Sequence, residues 1–244
     1  MIERDTRTAM LIGEAALSKL KASRVAVFGV GGVGGHAVDA LARAGVGALD
    51  LFDNDTVSES NINRQLIATY ETLGEYKTEA FEKRIKSINP ECRVKLHTRF
   101  ITAEDVEQMD ISVYDYIIDA IDTVSAKIAL AVKAERENIP IIASMGTGNK
   151  LDPTRFEISD IYKTSVCPLA RVMRSELRRR GVRALKVLYS KEEPSSYAAK
   201  FNETTPPCKE KHGKIPPASI SFVPAAAGLI IAGEVIKNII GANK

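Results

Sequence analysis

Two groups of residues in this sequence have the types and spacing for phosphate chemistry. The first is Gly29-Val30-Gly31-Gly32-Val33-Gly34, a GxGxxG pattern. Glycines at these positions let the backbone turn tightly and bring its N–H groups to an anion at the start of a following helix. Asp53 stands 19 residues beyond Gly34, where a carboxylate at the end of the next strand binds ribose hydroxyls. The second group follows at once: Asp53, Asn54 and Asp55 lead into Asn61, Asn63, Arg64 and Gln65, and then Lys77. A dinucleotide oxidoreductase is the default owner of the glycine pattern. Hydride transfer, however, has no use for a guanidinium and an ammonium beside the phosphates. A triphosphate carries more charge than a pyrophosphate diester, and cations on its leaving oxygens stabilise the transition state of its cleavage. The set favours ATP over NAD. Plainer readings stand beside it, with Asp53 and Asp55 as turn formers and Lys77 as a solvated helix residue.

A third feature is electrostatic. Between Arg171 and Lys191 the chain has Arg171, Arg174, Arg178, Arg179, Arg180, Arg183, Lys186 and Lys191 against one acid, Glu176. The whole chain sums to +3, from 34 Lys+Arg and 31 Asp+Glu, so the remainder is net acidic. Arg171, Arg174 and Arg178 share a helical face opposite Leu169, Met173 and Leu177. A basic face beside an ATP site suggests a polyphosphate partner, RNA foremost; a solvated helix face is the alternative.

Other chemistries lack their residues. Cys92, Cys167 and Cys208 form no CxxC pair, which argues against zinc and against a disulfide framework and suits reduced thiols. Cys167 and Cys208 could serve as nucleophiles, but ordinary free thiols are the simpler reading. His36, His97 and His212 are scattered and give a histidine triad little support. The start MIERDTRTAM has no apolar signal core. The apolar stretch 224–240 contains Glu234 and Lys237, so its uncharged run falls short of the roughly 20 residues a bilayer span needs. A soluble cytoplasmic protein without a membrane partner is expected.

These groups need elements to hold them. Leu11, Ile12, Ala15, Ala16 and Leu20 have helical spacing; Ala37, Val38, Leu41 and Ala42 do so again. Phe81, Ile85 and Ile88 mark a helix near 75–89, and another covers 125–137. Apolar runs at 24–28, 48–52, 93–97, 116–118 and 140–143 read as strands. Strands alternating with helices imply an α/β, Rossmann-like fold whose mostly parallel sheet is flanked by helices. Beyond it come a half-exposed strand at 155–159 and a basic helix after Pro168, with apolar face Leu169, Val172, Met173 and Leu177 and a stop at Gly181. A mobile loop at 191–217 and an apolar helix at about 223–240, buried in the core or at a subunit interface, complete the chain. All 244 residues then form a single adenylating domain, with a nucleotide-binding core over 1–150 and a substrate-binding and dimerisation extension over 151–244.

GVGGVGG at 29–35, DNDTVSESNINRQ at 53–65, Lys77 and Asp119-Ala120-Ile121-Asp122, in this order, resemble the E1-like adenylating family of ThiF, MoeB and the ubiquitin-activating enzymes. The resemblance covers roughly residues 7–146. It implies that Gly29, Gly31, Gly32 and Gly34 hold the nucleotide phosphates, Asp53 the ribose, and Asn63, Arg64, Gln65 and Lys77 the triphosphate, with Asp55 and Asn61 also at the nucleotide. Asp122 resembles the family's magnesium-binding aspartate, so Mg²⁺ joins ATP. Asp119 either faces this site or caps the next helix. Arg7 stands where the family has an arginine that reaches the γ-phosphate in the partner subunit, which implies a homodimer. Its flanking residues depart from the family's pattern.

The missing CxxC pairs set this chain apart from zinc-carrying activators of sulfur carriers, and its length leaves no room for a catalytic-cysteine domain. CPLARVMR at 167–174, NPECRV at 89–94, DAID at 119–122 and SFVP at 221–224 are similar to the tRNA threonylcarbamoyladenosine dehydratases, over nearly the full length. This implies ATP-dependent cyclisation of N6-threonylcarbamoyladenosine at position 37 of tRNA through an acyl-adenylate. Arg64, Lys77, Asp122 and Arg7 would be catalytic, and Arg171, Arg174, Arg178, Arg179, Arg180 and Arg183 would meet the tRNA. A sulfurtransferase or sulfur-acceptor partner is a further implication. Two alternatives stay open: adenylation of the C-terminus of a sulfur-carrier or ubiquitin-like protein, and a non-catalytic RNA-binding module.

Overall fold

The computed structural model describes residues 3–194 and 217–242. The apolar runs become strands much where their composition places them. β1 (Arg24–Phe28), β2 (Ala48–Phe52) and β3 (Arg93–His97) have the expected bounds. β4 (Tyr116–Asp119) gains a residue and β5 (Ile141–Ser144) is shifted by one. With β6 (Phe156–Asp160) and β7 (Lys186–Ser190) they form one seven-stranded sheet, ordered β3-β2-β1-β4-β5-β7-β6. Every pairing is parallel except β6 with β7. The winding reverses between β1 and β4. At such a switch point the two following loops part, leaving a crevice beyond the strands' carboxyl ends.

Helices cover both faces, which is why β2 and β4 are buried at every position. α3 (Gly34–Ala44) buries Ala37, Val38, Leu41 and Ala42, and α4 (Lys77–Ile88) buries Phe81 and Ile85. Each such large side chain contributes about 1.5–3 kcal/mol on leaving water. The C-terminal helix α8 (Phe222–Ile240) inserts Ala227, Ile231, Ala232 and Val235 into the same core. By length and composition it could span a membrane; here one of its faces packs beside α3.

Several expectations need correction. The first helical segment is two helices, α1 (Thr6–Ile12) and α2 (Glu14–Ala22), parted at Gly13 with φ 84°. Leu17 and Leu20 are the buried residues of α2, while Leu11 is 86% exposed. α5 (Ala103–Gln108) and β7 were not anticipated. β7 hides inside the basic stretch, yet Val187, Leu188, Tyr189 and Ser190 are buried, because β7 is wedged between β5 and β6. In α7 (Pro168–Arg179) the inward residues are Ala170, Met173 and Leu177, and Val172 is 48% exposed. α6 (Val124–Glu137) matches its expected range within a residue. The expected loop at 191–217 lies mostly outside the described residues, as do Cys208 and His212.

One buried carboxylate ties the first three strands together. Asp50 on β2 accepts two hydrogen bonds from the Arg24 guanidinium, both 2.8 Å, and one from the Tyr114 hydroxyl at 3.1 Å; His97 Nε2 lies 3.2 Å away. Burial pushes this carboxyl up, but His97, Arg24 and Tyr114 outweigh it and hold the group at about 2. A carboxyl depressed on folding stabilises above its unfolded pKa and loses that contribution as pH falls toward its folded value. Asp50→Asn is therefore expected to remove about 2 kcal/mol of pH-dependent stability between pH ~4 and pH ~2. Denaturant melts across that range read this as a flattened acid limb.

Candidate nucleotide-binding site

A cleft of about 670 Å³ opens at the switch point, lined by Phe52 at the end of β2 and by the loops that follow β1, β2, β3 and β4. Gly29 ends β1 with φ 83°, and a Cβ there would lie 2.6 Å from the Ala120 carbonyl oxygen. Gly34 is tighter still: its Cβ would sit 1.8 Å from the Gly29 carbonyl oxygen. The glycines thus divide by task. Gly29, Gly31 and Gly32 line the cleft, whereas Gly34 does not and lets α3 begin directly under the loop. The N-terminal turn of α3 leaves backbone N–H groups and a partial positive charge at this end.

Asp53 braces the loop. Its carboxylate accepts from the Val30 and Asp55 N–H groups, each at 2.9 Å. Burial pushes its pKa up, and Lys77 opposes this. Lys77 is 4% exposed, which removes the solvated reading. It begins α4, where a cation meets the unfavourable end of the helix dipole, and it donates to Asp55 Oδ2 at 2.7 Å. Arg64 donates through one nitrogen to the Ser60 carbonyl at 3.0 Å and to Asn63 Oδ1 at 2.8 Å. Asn61 closes a reciprocal cap with Ser58. Gln65 is buried, and its Oε1 has no hydrogen-bond partner.

Arg64, Gln65, Lys77, Asn61, Asp53 and Asp55 therefore meet around one cleft, with Asp122 on its far wall. Asn63 does not join them; it is exposed, and its amide donates to the Ser219 carbonyl at 3.1 Å. Arg7 is exposed on α1 and lies outside its own chain's cleft. Asp119 neither faces the cleft nor caps α6. It is fully buried in an ion pair with Lys127, Nζ to Oδ1 2.9 Å, and Lys127 also donates to the Asp119 carbonyl at 3.2 Å. Burial raises the Asp119 pKa and Lys127 counters it. Sequence reasoning missed Lys127, which stands eight residues after Asp119 among apolar neighbours. It also missed Phe52, Arg99, Phe100, Thr147 and Ser219 on the cleft wall. Their one signal was position, at or just after strands or at the approach to α8.

Among the described residues no group of three or more His, Cys, Asp or Glu could hold a metal. A magnesium ion would need only one or two carboxylates here, since triphosphate oxygens and water supply its other ligands. Asp122, exposed in the cleft, fits that requirement.

The basic helix is less free than its composition implies. Glu176 pairs with Arg179 at 3.0 Å and Arg180 at 2.6 Å, and Glu135 of α6 pairs with Arg183 at 3.2 Å. Arg174 is turned inward, donating to the Thr164 carbonyl at 3.1 Å and to its hydroxyl. Arg178 lies over the Tyr162 ring, 5.4 Å from its centre. Arg171, Arg174, Ser175, Arg178 and Arg179 still frame a shallow depression of about 420 Å³. Cys92 and Cys167 are buried free thiols, and burial pushes Cys92 up to about 11.

The glycine geometry yields a paired test. Gly34→Ala has to move the backbone of the loop and is expected to cost about 3 kcal/mol, the upper end for overpacking. At Gly31 a methyl meets nothing closer than the Gln65 amide nitrogen at 3.7 Å, so Gly31→Ala should fold like the parent. Chemical denaturation of the two variants checks both statements.

A model of the ThiF family matches residues 4–244. The tRNA threonylcarbamoyladenosine dehydratase of Bacillus subtilis (strain 168) is 43% identical over 243 residues, covering 98% of this chain and 96% of its own. The dehydratase of Escherichia coli (strain K12) is 43% identical over 171 residues, which is 70% of this chain and 64% of that one. The crystal structure of E. coli tRNA N6-threonylcarbamoyladenosine dehydratase, TcdA, in complex with ATP matches with a TM-score of 0.87 at 33% identity, covering 98% of this chain and 95% of that chain. With a glycine loop, a cationic cleft and a family match over almost its whole length, this chain belongs to the ThiF family.

Proposed function

We infer that this protein cyclises N6-threonylcarbamoyladenosine at position 37 of tRNA by an ATP-dependent dehydration. The observation that carries the reading is the cleft that brings Arg64, Gln65, Lys77 and Asp122 beside the glycine loop, in a chain that aligns with 96% of the B. subtilis dehydratase.

The chemistry follows from the charges. The threonine carboxylate of the modified nucleoside attacks the α-phosphorus of ATP. The bond to the bridging oxygen breaks, and its electron pair leaves with pyrophosphate. The acyl-adenylate is then attacked by the carbamoyl group of the same side chain, which gives up a proton as AMP leaves. The nucleoside has lost the elements of water. The second nucleophile is tethered to its electrophile, so its effective concentration is high and no enzyme nucleophile is required. The glycine-loop N–H groups and the start of α3 receive phosphate oxygens. Lys77 exchanges Asp55 for the phosphates, and with Arg64 it offsets the charge that develops on pyrophosphate. Asp53 meets the ribose hydroxyls. Asp122 would hold a magnesium ion against the triphosphate, where the ion neutralises phosphate charge.

The remaining assignments belong to the same proposal. Residues 1–150 serve the nucleotide, and 151–244 serve the substrate and the dimer. Arg7 reaches the cleft of a second copy, an arrangement supported by exposed Met10 and Leu11 on its helix and by exposed Phe222 and Leu229 on α8. The tRNA backbone lies along α7, with Arg171 and Arg178 its freest contacts and Arg179, Arg180 and Arg183 shared with acids. Arg174 acts chiefly as a brace for Thr164. A tRNA substrate supports the expected cytoplasmic location. A sulfurtransferase partner has the least support, since the two cysteines among the described residues, Cys92 and Cys167, are both buried.

AMP release from ATP decides the reaction. It is expected only with tRNA bearing threonylcarbamoyladenosine, together with loss of one water from that nucleoside. Stimulation by a carrier protein ending in Gly-Gly, and not by tRNA, would replace this reading. Asp122→Ala should abolish turnover while tRNA affinity stays within about twofold, since one exposed carboxylate outside the basic face contributes little to phosphate binding. Arg171→Ala and Arg178→Ala should each weaken tRNA binding and reduce its salt slope by about one. Arg174→Ala should mainly lower thermal stability.

A further inference from the structure

Ser219, which lines the cleft, belongs to a short segment, residues 217–220, that leads into α8, and side chains from two distant loops hold this segment. Asn149, in the loop after β5, stands in the left-handed region with φ 58°, which asparagine tolerates better than most residues. In that conformation its backbone N–H donates to the Ala218 carbonyl at 2.7 Å, and its Oδ1 accepts the Ala218 N–H at 2.8 Å. One residue thus satisfies both polar groups of Ala218. Beside it, a Cβ on Gly148 would lie 2.5 Å from the Cβ of Pro217, so loop and segment are in close contact. The next residue is caught from the opposite side, where Asn63 Nδ2 donates to the Ser219 carbonyl at 3.1 Å. The other end of the same amide accepts from Arg64 at 2.8 Å. Ser219, Arg64 and Thr147 line the cleft; Asn63 and Asn149 do not.

We propose that Asn149 and Asn63 are positioning residues that clip residues 217–219 across the cleft and lock the Arg64 guanidinium to that wall. The proposal rests on the dehydratase reading and deepens it. Arg64 has five N–H donors in a planar fork, and Asn63 and Ser60 occupy one nitrogen, leaving the others for phosphate. Ser219 and Thr147 line the cleft together with Arg64. The clip thereby fixes where Arg64 and the Ser219 wall stand when the threonylcarbamoyl group meets the α-phosphorus. Misplacement of a reacting group by about an ångström costs rate more than binding.

The test separates side chain from backbone. Asn149→Gly keeps the left-handed conformation and the N–H donor and removes only the Oδ1 acceptor. Asn149→Asp keeps an acceptor in the same place. With modified tRNA, Asn149→Gly is expected to lower kcat about tenfold, with the KM for ATP within about twofold. Asn149→Asp should recover most of that loss. Amide exchange at Ala218 should accelerate in Asn149→Gly and not in Asn149→Asp. Asn63→Ala should lower kcat likewise, and the double variant with Asn149→Gly should lose less than the product of the two, since both act through one segment. An unchanged kcat in Asn149→Gly, an equal loss of ATP affinity, or no rescue by Asn149→Asp would overturn the proposal. If the wild-type chain dehydrates no tRNA, the reaction assignment fails instead. Unchanged exchange at Ala218 in Asn149→Gly would then independently overturn the clip.

Discussion

The site depends on how closely two strand ends approach. β1 and β4 are neighbours in the sheet, and the turns that follow them are in contact, with Gly29 against the Ala120 carbonyl and Gly34 under Gly29. A side chain at Gly29 would force the turns apart, and one at Gly34 would distort the glycine loop itself. With them together, the first turn of α3 and the loop bearing Asp122 face each other across one cleft. Its position is a consequence of strand order, since crossovers leave in opposite directions only where the winding reverses.

Charge placement is the second constraint, and the protein handles it in two ways. Two carboxylates of the sheet, Asp119 and Asp50, are buried in ion pairs. Lys127 and Asp119 hold the β4–α6 turn from beneath, and Arg24 and Asp50 join β1 to β2. Buried pairs of this kind cost desolvation and return it only with good geometry, so their contribution is chiefly to fix one arrangement. At the cleft, pairing is provisional. Lys77 pairs with Asp55, which is more than half exposed, and a phosphate can take its place. Gln65 keeps an unbonded buried oxygen, an unsatisfied group of the sort that functional sites tolerate.

How much was legible follows from where the information lies. Strands β1 and β2 were readable to the residue because burial on both faces demands a nearly continuous apolar run, and that run is local; β3 is an edge strand and was readable from Val94 and Leu96 alternating with charged residues. The cluster 53–65 with Lys77 was readable because its residues are close in the chain and their chemistry is shared. The sequence by itself thus determined the fold class, the glycine turn and the cationic character of the site. Tertiary structure alone decided which members of that cluster face inward. Asn63 is two residues from Asn61, yet it turns away to the Ser219 carbonyl, a partner 156 residues distant. Asp119 reads as a cap or a ligand until Lys127 is seen to be buried against it. β7 reads as part of a basic stretch until β5 and β6 close around it. Arg174 shares a helical face with Arg171 in the sequence and donates to Thr164 in the structure. Each of these outcomes turns on a hydrogen bond or ion pair across the fold, and no periodicity along the chain encodes where such a partner will be.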